Sequence, residues 1–195
     1  MERTDQSVDT PDARRLLEIY LRDHFAGSTA GLALARRCRR ANEGTEWSGT
    51  LATIETEISE DQDTLESIMT GLGITPSSFK SAVGAIGEVI ARLKSNGRWL
   101  GYSPLSRLIE LEGLAAGVET KRNLWRALRH LDGSDVVGAS RLDALIERAG
   151  SQLERIRTAH DRAAAVTFAG HRLPAADASG RSQRSATTRP VGDPD

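Results

Sequence analysis

The sequence predicts an all-α protein: an antiparallel four-helix bundle with a short extra crossover helix. Apolar residues recur at spacings of three and four over long stretches, the period of a helix with one buried face. Between these stretches stand helix-starting and helix-ending signals such as Thr10-Pro11, Ser103-Pro104 and Asn96-Gly97. No run alternates apolar and polar residues for long enough to make a strand. Of the 195 residues 38% are hydrophobic and only 4% aromatic, so the core must come from Leu, Ile, Val and Ala.

The elements follow in order. The first helix opens at Thr10-Pro11-Asp12, with proline at its first position, and carries Leu17, Leu21, His24, Ser28, Gly31, Ala35 and Cys38 on one stripe to about Arg40. Ala41-Asn42-Glu43-Gly44 ends it. The second starts at Ser48 and aligns Leu51, Ile54, Ile58, Asp61, Leu65, Ile68 and Leu72. A shorter helix over about 78–95, with Phe79, Val83, Ile86, Ile90 and Leu93, precedes the connector Asn96–Tyr102. Ser103-Pro104 opens the next long helix, to about Leu131, striped by Leu111, Leu114, Val118, Trp125 and Leu128. The last is capped by Ser140 and runs to about Phe168. Residues 1–11 read as a polar leader, 12–168 as the bundle domain, and 169–195 as a disordered tail.

Composition narrows the function. Lys and Arg number 26 against 27 Asp and Glu, a net charge of -1 that gives no expectation of a nucleic-acid or membrane partner. A single cysteine excludes a disulfide framework and a cysteine-based zinc site. The polar start lacks a secretory signal, and no stretch reaches the roughly 18 apolar residues of a membrane span. The expected location is cytoplasmic.

The informative residues are polar ones placed where the helical period asks for apolar ones. His24 lies on the first stripe beside Asp23. Asp61 falls between Ile58 and Leu65, with Glu57 one turn earlier. Glu112 and Glu119 stand seven residues apart, with small Ala115 and Ala116 between them, and His160 continues the line of Leu153 and Ile156. Charges at a helix seam must be paired, hydrated or bound to a metal ion. Oxygen-rich sets with a histidine suit iron or manganese.

This constellation resembles the ferritin-like superfamily, in which two helices each give a Glu and two give a Glu-x-x-His pair. The runs Tyr20–Gly27, Glu57–Asp61 and Asn96–Ser106 are similar to those of uncharacterised bacterial ferritin-like proteins. The resemblance spans about 12–168. It implies a metal site of iron or manganese with Asp61, Glu112 and Glu119 as carboxylate ligands and His24 as the nitrogen ligand, chemistry of the oxidase or iron-storage type, and association into homo-oligomers. No Glu-x-x-His occurs in the chain, which departs from the family pattern.

Each residue has a plainer reading. His24 reads as a core-edge histidine bonded to a neighbouring carboxylate or backbone rather than as a metal ligand, Asp61 equally as the partner of Arg22 or Arg126, and Glu112 and Glu119 as halves of Glu–Arg or Glu–His pairs. His160 fits a helix end, where the dipole favours it. Cys38, within Arg36–Arg40, reads as a small buried hydrophobe rather than a reactive thiol. The rival to a metalloprotein is therefore a non-enzymatic structural or interaction protein with a buried ion-pair network and no metal.

Overall fold

The computed structural model describes residues 10–76, 102–130 and 138–170. Over these the chain is all-helical, with four helices: α1 (Thr10–Ala41), α2 (Ser48–Gly71), α3 (Pro104–Leu128) and α4 (Ala139–Thr167). The expected helix over 78–95, the Asn96–Gly101 part of the connector and the two expected tails, apart from the start of α1 and the last residues after α4, lie outside the described residues.

Local chemistry explains the boundaries. Ser103 accepts a hydrogen bond from the Ser106 amide at 3.1 Å, and Pro104 follows at the first position of α3. At α4 the expected cap is displaced. Gly138, at φ +70°, precedes the helix with no side-chain cap, and Ser140 falls inside the first turn. Only a residue without Cβ enters that left-handed region readily, so glycine sets where the chain turns into α4. Trp47 likewise precedes α2 without a side-chain cap, leaving Ser48 as its first helical residue.

The predicted stripes converge on one core. Leu21, Ile54, Leu65, Ile68, Leu111 and Ile156 are essentially inaccessible. Full burial of each such side chain stabilises by about 1.5–3 kcal/mol. Helix α1 packs on α2 and α3, and α3 packs closely on α4, whereas α2 and α4 touch only sparsely. The ion pairs Arg155–Glu57 and Arg148–Asp61 span that last gap. Along α1 and α2, Arg39 pairs with Glu55, Thr29 accepts from Gln62 at 2.9 Å, and Arg22 donates to the Thr75 carbonyl at 3.4 Å. None of the described helices is long and apolar enough to cross a membrane.

Candidate functional site

Among the described residues, two buried carboxylates with their polar partners and a cavity interrupt the apolar core. The first carboxylate, Asp61, is 3% exposed in the middle of α2. Lys121 of α3 donates to its Oδ2, Arg148 of α4 to its Oδ1, and Gln152 Nε2 to Oδ2 at 3.1 Å. Lys121 also donates to Gln152 Oε1 at 2.5 Å. Three helices thus meet on one carboxylate, both of whose oxygens are taken by cations. Burial pulls the Lys121 pKa below its ordinary value, and the Asp61 charge opposes that pull. Arg148 reaches outward as well, to Glu60 at 3.0 Å.

Glu110 on α3 is the second, 1% exposed. Arg37 Nε donates to it at 2.6 Å, the Tyr102 hydroxyl at 2.9 Å and the Cys38 thiol at 3.3 Å. Asn42, itself inaccessible, donates from Nδ2 to the Tyr102 oxygen at 3.0 Å and accepts from Arg107 Nε at 2.5 Å. The Arg107 guanidinium lies over the Trp47 ring, 3.9 Å from its centre. This chain of contacts fastens the end of α1 and the turn before α2 to the start of α3.

Cys38 is a buried thiol beside a carboxylate. Burial pushes its pKa far up, Glu110 adds to the rise through its charge and its hydrogen bond, and Arg37 opposes it only in part. A thiol held protonated and covered is a poor nucleophile. Cys38 is therefore expected to resist alkylation by iodoacetamide in the folded protein and to react at the rate of a free thiol in denaturant. Fast labelling of native protein would contradict its burial.

A cavity of about 490 Å³ lies between α1, α2 and α3. Its walls are apolar where Ile58, Leu65, Leu114 and Val118 face it, and Asp61 and Lys121 sit at its polar side. His24 lines it from α1, its ring edge-on to Tyr20 with centroids 4.4 Å apart. Burial lowers the His24 pKa from 6.5, and nearby Asp23 raises it only in part. The folded protein then binds fewer protons at this site than the unfolded chain does. Stability should rise with pH from the lowered pKa up to about 6.5 and be flat above, for this group. Comparing denaturant midpoints of wild type and His24→Gln at mildly acidic and neutral pH tests this. The wild type should lose more on acidification, and equal losses would reject it.

The four residues expected as ligands therefore part company. His24 and Asp61 line one cavity. Glu112 projects to the surface, its side chain 56% exposed and 3.3 Å from His160 Nε2. Glu119 is 39% exposed, with Arg122 at 3.8 Å and Arg126 at 3.9 Å. Among the described residues no three His, Cys, Asp or Glu side chains group as metal ligands would. Asp61 pairs with neither Arg22, which takes Glu18 at 2.6 Å, nor Arg126. The sequence reading passed over Glu110, Lys121 and Arg148. No spacing in the sequence separates Glu110 from Glu112, since each adjoins Leu111 of the apolar stripe.

Compared with models of known protein families, with curated proteins and with solved structures, the chain matches none.

Proposed function

We propose that the chain is a non-enzymatic, cytoplasmic structural or interaction protein, an antiparallel ferritin-like bundle whose interior carboxylates form an ion-pair network in place of a metal site. The observation that carries this reading is Asp61: both oxygens already accept from Lys121, Arg148 and Gln152. A metal ion there would have to displace two cations. Glu112 and Glu119 would have to leave the surface to join it. The donor set of the described residues does not fit a two-metal centre, and the lack of Glu-x-x-His agrees with that. The antiparallel arrangement is supported by the partners along α1, whose numbers fall from Arg39 to Arg22 as those on α2 and beyond rise from Glu55 to Thr75.

Metal analysis of tag-free protein by mass spectrometry, before and after adding Fe(II) or Mn(II), tests the reading. No stoichiometric metal is expected under either condition. Glu112→Ala and Glu119→Ala should each shift stability by less than about 1 kcal/mol, as exposed pairs do. Near-stoichiometric iron or manganese, lost in Glu112→Ala, would overturn the reading in favour of a metalloprotein.

A further inference from the structure

The cavity between α1, α2 and α3 is a recess open to solvent on one side, where Asp23, Gly27 and Gly117 are exposed, and closed on the other by Leu114, Val118 and Trp125. Its 490 Å³ falls within the roughly 300–1,000 Å³ of small-molecule sites.

Glycines keep it open. Gly27 and Gly31 of α1 and Gly117 of α3 line it, and a Cβ placed on any of them would meet no atom within 4 Å. Glycine inside a helix is destabilising relative to alanine, and a close approach of another helix is the usual compensation. Gly113 has that compensation, since its Cβ would come within 3.0 Å of Leu34. The other three have no such neighbour, and with Gly27 and Gly117 exposed a side chain at these positions would project into the recess or its mouth.

The lining states what would fill that space. Ile58, Leu65, Leu114, Val118 and the Trp125 ring present an apolar wall suited to a flat hydrophobic body. Its two interior charges, Asp61 and Lys121, are already paired to each other, and the remaining one, Asp23, is exposed at the rim. An entering carboxylate would face Asp61 and Asp23, and an entering ammonium would face Lys121. Polar capacity is left over, however. Trp125 is 1% exposed, and its indole N–H has no acceptor among the described residues. The His24 imidazole adds a second polar group to the wall.

We propose that this cavity is a binding site for a small uncharged aromatic molecule carrying a hydroxyl or carbonyl oxygen. The inference goes beyond the ion-pair reading and fails independently of it, because a metal-free interior and an occupied cavity are read by different measurements.

The test is calorimetric titration of the full chain with 1-naphthol, and with 1-naphthoate and 1-naphthylmethylammonium as charged counterparts. The expected result is one saturable naphthol site with Kd on the order of 10–100 μM, and at least about tenfold weaker binding of both ions. Gly31→Leu and Gly117→Leu, which push a side chain into the space, should abolish binding without lowering the thermal midpoint. Gly27→Ala, the mildest filling, should keep the fold and weaken binding several-fold should either leucine variant fail to fold. No saturable naphthol binding, equal binding of all three probes, or binding indifferent to the glycine substitutions would each overturn the proposal.

Discussion

Asp61→Ala is expected to lower the free energy of unfolding by about 3–5 kcal/mol, the penalty for leaving a buried cation without its partner. The stranded group is Lys121, whose side chain is 14% exposed and whose other partner, Gln152, is neutral. Arg148 suffers less, because it already holds Glu60 and reaches solvent. The effect therefore belongs to one pair and can be reversed at that pair. Asp61→Leu combined with Lys121→Met should recover much of the loss, since apolar replacement of a whole buried pair is often neutral or stabilising. Denaturant unfolding of the single and double variants decides it. A loss below about 1 kcal/mol in Asp61→Ala would mean that the pair behaves like a surface ion pair.

Glu110→Ala should be comparably severe, about 3–5 kcal/mol, because it removes the acceptor shared by Arg37, Tyr102 and Cys38. Glu110→Gln separates charge from shape. It keeps an acceptor for the hydroxyl and the thiol and should cost less, about 1–3 kcal/mol. It carries a second readout too. Part of the rise in the Cys38 pKa comes from the Glu110 charge, so the thiol of Glu110→Gln should titrate lower than that of the wild type. An unchanged thiol titration would show that burial alone sets it.

The helices were legible in the sequence because their apolar spacing and the Ser103-Pro104 start are local properties. Asp61 was legible for the same reason: it interrupts a stripe that has a single buried side. Helix α3 has more than one buried side, and there the reading failed. Glu110 and Glu112 each stand one residue, about 100° of turn, from Leu111, on opposite sides of the stripe. Periodicity alone treats them alike. Glu110 faces α1 and is buried, whereas Glu112 faces outward and meets His160. Which side is covered depends on where α1 lies, a tertiary fact. Partner choice escapes the sequence in the same way, since Lys121 and Arg148 lie 60 and 87 residues from Asp61. The cavity was equally hidden, because a glycine that admits a neighbour and one that preserves a space look identical in sequence.

The fastening of α1 to α3 at one end has a kinetic consequence. Around Arg37, Cys38 and Asn42 the two helices are cross-linked through Glu110, Tyr102 and Arg107. Around His24, Gly27 and Gly31 the facing surface is a cavity. Backbone amides exchange with solvent through local openings, and an opening is easier where fewer contacts must break. Amide exchange should therefore run as a gradient along this single helix, slow near Cys38 and faster near Gly27. A molecule held in the cavity would slow exchange mainly at the faster end, making α1 a built-in reporter of occupancy.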